Sequence, residues 1–200
     1  MSIRLLDCTL RDGGYINDWK FGYRTAKSVI QKLVDSNADY VEVGFLRNCS
    51  YDKNATLFNN IAELKKILPR EQKNTKFTVM ALHNKYDITK LEPNDGTVEA
   101  VRVTFHDYDI DEGLEFVKKV MEKGYKCFCN PINIMGYSDQ EILNLIQKIN
   151  QIKPYAFSIV DTFGSMIKSD LLRIYSLLEH NLDKSIVIGL HLHENLSLSY

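Results

Sequence analysis

The sequence lacks any apolar run approaching the ~20 residues that a helix needs to cross a bilayer. Its first residues, MSIRLLDCTLRDGG, also lack the long apolar segment of a secretory signal peptide and instead predict a strand. The four cysteines form no CxxC pair. Cys127 and Cys129 lie two apart in a strand-like stretch, so both should face one side and pack in the core. These absences predict a soluble protein in a reducing, cytoplasmic compartment.

The sequence also lacks an excess of either charge and any glycine-rich phosphate-binding motif. Lys and Arg total 25 against 26 for Asp and Glu, which gives a net charge of −1 and no general attraction to nucleic acid or to an anionic membrane. No strand is followed by GxGxxG or GxxxxGK(S/T), which argues against the nucleotide-binding folds. Hydrophobic residues make up 44% of the 200 residues and charged residues 26%, so one globular domain with a buried core is expected.

Short β-rich segments alternate with amphipathic helical segments along the chain. The predicted strands are residues 3–7, 40–43, 77–82, 100–104, 126–130, 157–160 and 186–191. The predicted helices are residues 26–34, 61–68, 115–121, 142–149 and 171–178. Residues 84–99 include the turn-forming sequence PNDG and are expected to form a loop. Strands that recur every ~25–35 residues with helices between them predict parallel βα units.

The reactive side chains distinguish between the two common α/β architectures. They follow successive strands at their carboxyl ends: Arg11 and Asp12, Glu42, His83, His106, Asn130, Asp161, and finally His191 with His193. A (β/α)8 TIM barrel collects its active site from the ends of many strands, whereas a doubly wound open sheet concentrates ligand groups at one switch point. The distribution therefore favours the barrel. We find about seven strands where a barrel needs eight and typically ~250 residues, so we interpret residues 1–200 as a truncated barrel, the N-terminal part of a longer protein.

The segment His191-Leu192-His193 is the clearest metal-binding signal. Residues two apart on a strand project to the same face, so both imidazoles converge while Leu192 is predicted to point into the packing. Two neutral imidazoles suit a divalent transition metal. The alternative is a pair of histidines that are hydrogen-bonded near the end of a strand.

Asp12 is the candidate for an anionic third ligand. It follows the first predicted strand, and the adjacent Gly13 and Gly14 would allow an unusual backbone path close to a ligand. In the alternative interpretation Asp12 is a turn or capping residue and Arg11 is its partner on the surface.

Four segments in this order and at this spacing resemble the DRE-TIM metallolyases. They are DCTLRDGG at residues 7–14, Glu42 within VEVG, DTFG at residues 161–164, and GLHLHENLSLS at residues 189–199. This HMG-CoA lyase-like superfamily includes 4-hydroxy-2-oxovalerate aldolase, hydroxymethylglutaryl-CoA lyase, isopropylmalate synthase and homocitrate synthase. The resemblance runs from the first strand to the last residue, and the stretch DGGYINDW is nearest to the 4-hydroxy-2-oxovalerate aldolases.

The resemblance implies a role for each matching residue. Asp12, His191 and His193 match the metal ligands of the family, which bind Mn2+ or Mg2+ and in some members Zn2+. Arg11 matches the arginine that stabilises the enolate formed beside the metal, and Glu42 matches the glutamate that supports this site.

This chemistry suits the residue types. A 2-oxo acid can chelate a metal through its carboxylate and keto oxygens, and the ion then acts as a Lewis acid toward the enolate oxygen. An arginine adds a fixed positive charge where negative charge develops. Asp161, in the DTFG segment, is interpreted instead as architectural, with its carboxylate hydrogen-bonded to a turn.

The identity of the catalytic base stays open. In the 4-hydroxy-2-oxovalerate aldolases a histidine base follows the Arg-Asp-Gly turn, whereas Tyr15 stands at the corresponding position here. An unperturbed tyrosine titrates near pH ~10, so Tyr15 is a poor base unless the metal or Arg11 lowers its pKa, and it is expected to donate a hydrogen bond in the pocket. His83 and His106 each follow a strand and are candidates for the base or for substrate binding, as is a metal-bound hydroxide for the base. The alternative role for either histidine is to cap a loop.

The first functional hypothesis is a metal-dependent class II-type aldolase, a lyase acting on a 2-oxo acid and an aldehyde through a metal-bound, pyruvate-like enolate. One alternative is a Claisen-type acyltransferase that condenses acetyl-CoA with a 2-oxo acid, because such synthases share the HxH segment. Another is a catalytically silent metal-binding module. A homodimer, and a C-terminal domain or partner enzyme, are compatible with this hypothesis.

Overall fold

A computed structural model describes residues 3–197 of the chain. Its elements are β1 (Leu6–Asp7), α1 (Thr9–Asp12), α2 (Gly14–Asn17), α3 (Tyr23–Asp35), β2 (Tyr40–Leu46), β3 (Leu57–Phe58), α4 (Ile61–Lys65), β4 (Lys76–Leu82), β5 (Ala100–Phe105), α5 (Ile110–Glu122), β6 (Lys126–Pro131), α6 (Asp139–Ile152), β7 (Ala156–Val160), α7 (Lys168–Asn181) and β8 (Val187–His191). The chain divides into two compact units. One runs to Arg102 and includes Glu122–Tyr125, and the other comprises Val103–Met121 and the chain from Lys126 onward.

None of the helices in the described part of the chain is long and apolar enough to span a membrane.

The first unit is a parallel sheet covered by helices. β1 and β4 both pair with β2, and the two-residue β3 pairs with the end of β2. All seven residues of β2 are buried, as expected for a parallel strand with both faces covered. Helix α3 contacts β2, and its buried Ala26, Ile30 and Val34 recur at helical spacing. This packing fixes β2, the strand that carries Glu42.

An irregularity in β2 directs the side chains at its carboxyl end. The register against β4 shifts by one residue between Glu42 and Phe45. Gly44 lies at this point with φ +149°, and an added Cβ would lie 2.0 Å from the carbonyl oxygen of Thr56. A β-bulge re-aims the residues beyond it. The ring of Phe45 consequently lies 5.8 Å from the guanidinium carbon of Arg11.

The second unit has the same construction. β7 pairs with β6 on one side and with β8 on the other, in parallel. Helices α5, α6 and α7 alternate with these strands, and α6 and α7 contact each other. The strand order is β1-β2-β4-β5 in the first unit and β5-β6-β7-β8 in the second. Strand β5 contributes Ala100–Arg102 to the first unit and Val103–Phe105 to the second. Strand order therefore follows chain order within each unit.

The predicted alternation of strands and helices is confirmed, with one strand at each of the seven predicted positions. The region 84–99 contains no α-helix, as predicted, but only the 3-10 turn Ile88–Lys90. Cys127 and Cys129 are both fully buried, which confirms their role in the core.

Several predicted boundaries were wrong. Strand β1 begins at Leu6 rather than at residue 3, because Ile3 and Leu5 are exposed to solvent at 90% and 72%. Helix α4 ends at Lys65 rather than at residue 68, since a proline at position 69 disfavours a helical conformation of the residue before it. The one-turn helices α1 and α2 and the strand β3 were not predicted, because segments of two to four residues carry no readable periodicity.

Replacing Gly44 with alanine should destabilise the protein by about 2–4 kcal/mol, because the new methyl group meets the backbone of Thr56. The matched control is Gly96→Ala, which has φ +83° but no atom within 4 Å of the added Cβ. That change should cost only about 1–2 kcal/mol for the positive φ. Urea unfolding of both variants measures the difference, and equal losses would contradict the close approach at Gly44.

Candidate active site

The turn that follows β1 is folded by its own side chains. The carboxylate of Asp7 accepts hydrogen bonds from the backbone N–H and the hydroxyl of Thr9, each at 3.0 Å. Such an aspartate turn replaces backbone pairing at the point where the strand ends. The backbone N–H groups of Arg11 and Asp12 then donate to the carbonyl of Cys8 at 3.0 and 2.8 Å. These contacts form α1 and place Arg11 and Asp12 directly beyond the strand.

Because α1 is one turn long, its carbonyl groups need donors from outside the helix. The hydroxyl of Thr56 donates to the carbonyl of Leu10, and the indole N–H of Trp19 donates to the carbonyl of Arg11, both at 2.7 Å. An added Cβ on Gly14 would lie 2.1 Å from the ring of Trp19. Gly14 is therefore required for close packing, and the expected unusual backbone path was wrong: neither Gly13 nor Gly14 has a positive φ.

Arg11 is the centre of a buried ionic network. It is only 5% exposed; its Nε donates to Oε2 of Glu42 at 2.7 Å, and its Nη1 donates to Oδ1 of Asp12 at 2.6 Å. Glu42 is fully buried, and the same Oε2 accepts a second hydrogen bond from Nη1 of Arg102 at 2.8 Å. Arg102 also contacts the sulfur of Cys8 at 3.5 Å. Two guanidinium groups and two carboxylates thus balance each other within the first unit.

The network holds Arg11 in its charged form. Burial alone would lower the pKa of Arg11, but the carboxylates of Glu42 and Asp12 outweigh that effect and raise it. Burial first, and then the charge of Glu42, raise the pKa of Cys8 to about 12, so its thiol adds no negative charge at neutral pH. The interpretation of Arg11 as a surface residue is therefore wrong.

One donor of Arg11 is left for another molecule. Its Nη2 is buried and has no hydrogen-bond partner among residues 3–197. A buried donor without a partner typically costs about 1–3 kcal/mol, so a group of this kind is rarely retained without a use. Because Nη2 belongs to a positively charged guanidinium, an anionic oxygen is the acceptor that would bind it most strongly.

Sequence reasoning missed Arg102, although a signal was present. Parallel strands buried on both faces are almost continuously apolar. Arg102 interrupts such a run in β5, AVRVTF, where all six residues are buried. Glu42 interrupts β2 in the same way. Opposite charges in two buried strands of one unit predict a pair, and the structure places them 2.8 Å apart.

Tyr15 lies at the exposed edge of an aromatic cluster. It is 65% exposed and makes edge-on contacts with Trp19 at 4.9 Å and Phe45 at 6.5 Å between ring centres. Trp19 and Phe45 are themselves 5.5 Å apart. Tyr15 therefore lies one aromatic ring away from the guanidinium group of Arg11.

The two other predicted histidines have separate surroundings. His83 is half-buried in the turn after β4, in the first unit. His106, in the second unit, stacks on Tyr108 at 4.8 Å, and its Nδ1 lies 3.4 Å from the carboxylate of Asp109. Its backbone N–H donates to the same carboxylate at 2.6 Å. These contacts hold His106 at the start of the 3-10 turn Asp107–Asp109.

In the second unit His191 and His193 meet at the end of β8. Their ring centres are 5.0 Å apart and their planes are nearly perpendicular, at 82°. The carbonyl of His191 accepts a hydrogen bond from the N–H of Asp161 at 2.9 Å. The carboxylate of Asp161 accepts from the N–H groups of Ser165 and Met166 at 3.0 and 3.2 Å. Asp161 thus organises the DTFG loop beside His191, which confirms its architectural interpretation.

Two further positions near the histidines are Gly164 in the neighbouring loop and Leu192 between the two histidines. Gly164 of the DTFG loop has φ +63°, and an added Cβ would lie 2.4 Å from Cγ of Asn195, so this position requires glycine. Leu192 is 48% exposed, and the prediction that it points into the packing was wrong. Leu192 follows the last strand, and no helix or strand of the described residues comes after it to cover it.

The donor chemistry of these residues fits a divalent metal ion. Two half-buried imidazoles at the end of one strand provide nitrogen ligands, which suit Mn2+ and Zn2+. Asp12, whose side chain is 27% exposed and tethered by Arg11, offers a carboxylate, the kind of ligand that neutralises the ion. The side chain of Asn130 is oriented by its amide nitrogen, which donates to the carbonyl groups of Val103 and Phe128.

The chain matches a known family model over nearly its whole length. Residues 2–200 match the family described as HMGL-like.

Solved structures share the fold. The N-terminal domain of a protein provisionally assigned as an aldolase from Bacteroides vulgatus superposes with a TM-score of 0.74 and 23% identity over 97% of this chain. The HMG-CoA lyase of Bacillus subtilis superposes with a TM-score of 0.69 and 14% sequence identity over 96% of this chain. A variant of the carboxyl transferase domain of Rhizobium etli pyruvate carboxylase, solved with pyruvate, superposes with a TM-score of 0.70 and 15% sequence identity over 98% of this chain. The chain spans 65%, 68% and 37% of these three chains. The likeness confirms the predicted (β/α) barrel fold class.

Replacing Glu42 with glutamine should lower the free energy of unfolding by about 3–5 kcal/mol, because it keeps the shape but leaves the buried Arg11 and Arg102 without a shared counter-charge. Asp95→Asn is the matched control, since the carboxylate of Asp95 pairs with Lys65 on the surface. That change should cost about 1 kcal/mol or less. Chemical denaturation compares them, and a Glu42→Gln loss no larger than that of Asp95→Asn would show that the network contributes little.

Proposed function

Because the chain belongs to the HMGL-like family, we propose that it is a divalent-metal-dependent lyase acting on a 2-oxo acid. In this proposal it makes or breaks a carbon–carbon bond through the enolate of a pyruvate-like substrate, with an aldehyde as the second reactant. The observation that carries the proposal is the buried, permanently charged Arg11, whose Nη2 has no partner among the described residues.

Asp12, His191 and His193 are the proposed metal ligands. Support comes from the family match, from the converging imidazoles at the end of β8 and from the carboxylate that Arg11 holds at the end of β1. The ion, when bound, would supply Lewis-acid chemistry to the carboxylate and keto oxygens of the substrate. Mn2+ and Mg2+ are the proposed ions, with Zn2+ as the alternative.

Arg11 is the proposed stabiliser of the negative charge that develops on the keto oxygen. Glu42 and Asp12 hold its Nε and Nη1, so the plane of the guanidinium is fixed before the substrate arrives. A preorganised donor loses no free energy to reorientation during the reaction, and for that reason it favours the transition state over the ground state. Glu42 acts as a positioning residue in this account, because it touches Arg11 rather than the substrate.

Tyr15, His83 and His106 are proposed to contribute to substrate binding and proton transfer. Tyr15 is accessible and its ring packs against Trp19 and Phe45, so it suits a hydrogen-bond donor at the mouth of the site. An aldolase assignment is preferred to a Claisen-type acyltransferase because the stretch DGGYINDW, which contains Tyr15, resembles the aldolases of the family.

The proposed metal site predicts a loss of affinity on removing one imidazole. Substitution His191→Ala in the complete protein should weaken Mn2+ binding by roughly tenfold or more. His180→Ala is the control, because His180 is exposed on α7 and its Nδ1 lies 2.7 Å from the carbonyl of Ser176 in its own helix. Calorimetric titration measures both affinities. Equal Mn2+ affinity in the wild type and the His191→Ala variant would refute the ligand assignment.

The proposed reaction predicts proton exchange even when the natural aldehyde is unknown. The complete protein with Mn2+ and pyruvate in deuterated water should exchange the methyl protons of pyruvate for deuterium. Loss of the methyl signal in proton NMR measures this exchange. Exchange should stop with EDTA and fall by roughly 100- to 1,000-fold in Arg11→Lys, with a much smaller change in pyruvate affinity.

Arg24→Lys is the control for the exchange experiment, because Arg24 is exposed on α3. A methyl signal unchanged by wild-type, metal-loaded protein would exclude pyruvate as the enolate donor. Acetyl-CoA would then test the acyltransferase alternative, and no exchange there either would favour the silent metal-binding module. A variant of Tyr15, His83 or His106 that binds Mn2+ normally but no longer exchanges pyruvate protons would identify the base.

A further inference from the structure

Arg47 is a half-buried cation in the first unit that has no carboxylate partner in the described part of the chain. It follows β2 by one residue, and its backbone N–H donates to the carbonyl of Phe58 at 2.9 Å. Its guanidinium carbon lies 4.7 Å from the centre of the Phe45 ring. No acidic side chain of residues 3–197 forms an ion pair with it, whereas Arg11 and Arg102 both pair with Glu42.

The guanidinium of Arg47 is partly removed from solvent. Burial lowers the pKa of Arg47, while the nearby Tyr15 and Cys49 raise it to a smaller extent. A cation that has lost part of its hydration without gaining a carboxylate is destabilised relative to a paired one. Stacking on Phe45 offsets only part of this cost. An anion that binds at Arg47 would complete the pairing.

Arg47 and Arg11 flank the same aromatic ring. The guanidinium carbon of Arg11 is 5.8 Å from the centre of Phe45, compared with 4.7 Å for Arg47. Tyr15 contacts the same ring, 6.5 Å away between centres. Phe45 itself is buried, and because both guanidinium carbons lie this close to its centre, they are at most about 10.5 Å apart. Two cations at such a separation match a ligand that carries one anionic group at each end of a short carbon chain.

We propose that Arg47 determines specificity by binding a second carboxylate, at the end of the substrate remote from the 2-oxo acid group. The inference rests on the proposed function, because that function places the 2-oxo acid at Arg11. A carboxylate fits better than a phosphate dianion, since Arg47 is a single guanidinium and its planar fork matches the two carboxylate oxygens. The substrate class is therefore a 4-hydroxy-2-oxo acid with a terminal carboxylate. Cleavage of its C3–C4 bond gives pyruvate and an aldehyde that carries the acid group, and the reverse reaction joins the same two molecules.

A matched pair of ligands tests the proposal directly. 2-Oxoadipate and 2-oxohexanoate have the same six-carbon chain and differ only in a terminal carboxylate or methyl group. The complete, Mn2+-loaded protein should bind 2-oxoadipate roughly tenfold or more tightly than 2-oxohexanoate, as expected for a charge-assisted hydrogen bond. 2-Oxoglutarate and 2-oxopentanoate repeat the comparison at a shorter length, and the proposal requires the preference at one length or the other. Calorimetry measures all four affinities.

Variants assign the preference to Arg47. Arg47→Met keeps an unbranched side chain over Phe45 and should abolish the preference for the dicarboxylate, while Arg47→Lys keeps the charge without the fork and should retain part of it. Arg24→Met, at an exposed position on α3, should leave it unchanged. A preference that survives in both Arg47 variants, or that is absent from the wild type at both lengths, overturns the proposal.

Exchange of pyruvate methyl protons, measured on the same wild-type preparation, separates this proposal from the proposed function. If exchange occurs but each pair of ligands binds equally, the role of Arg47 is wrong while the lyase chemistry stands. If exchange is absent but the dicarboxylate preference exists and disappears in Arg47→Met, the anion site is supported and the proposed reaction is not.

Discussion

The buried guanidinium of Arg11 is the constraint on which the first unit depends. A charge that is 5% exposed would be strongly destabilising without partners, and several features of the local structure provide or position them. Glu42 reaches Arg11 from a strand that is buried along its entire length. Arg102 donates a second hydrogen bond to the same carboxylate oxygen of Glu42. The turn after β1 closes through side-chain hydrogen bonds to the backbone, so that Arg11 and Asp12 leave the strand in a fixed direction. The same contacts that stabilise the fold therefore orient the group proposed to stabilise the enolate.

The second unit must likewise hold its two histidines in place. Two imidazoles that are to bind an ion must be held in place before the ion arrives. His191 is the last residue of β8 and His193 lies two residues beyond it, and their rings lie 5.0 Å apart. The loop beside them is fixed by the carboxylate of Asp161, which accepts two backbone N–H groups, and its own N–H binds the carbonyl of His191. Gly164 is required where that loop passes Asn195. The residues that recur in the DTFG segment thus support the histidines without needing to touch a substrate.

The sequence predicted those parts of the fold and the candidate site that depend on local periodicity. Parallel strands, alternating helices and the convergence of His191 with His193 follow from the two- and 3.6-residue repeats, and all are confirmed. Features that depend on register and on contacts distant in the chain were not predictable. Arg102 is 60 residues from Glu42, and the register shift at Gly44 that turns Phe45 toward Arg11 requires knowledge of the partner strand. The roles of Asp12, His191 and His193 as ligands come from the resemblance to a family and remain predictions.

The central claim is that Arg11 presents Nη2 to the substrate beside a metal ion, and a crystal structure of the complete protein with Mn2+ and oxalate tests it most directly. Oxalate has the two adjacent oxygen donors of the pyruvate enolate and cannot react. The account predicts one ion bound by Asp12, His191 and His193, with Nη2 of Arg11 about 2.7–3.1 Å from an oxalate oxygen. An ion bound by other residues, or an oxalate that makes no contact with Arg11, would contradict it.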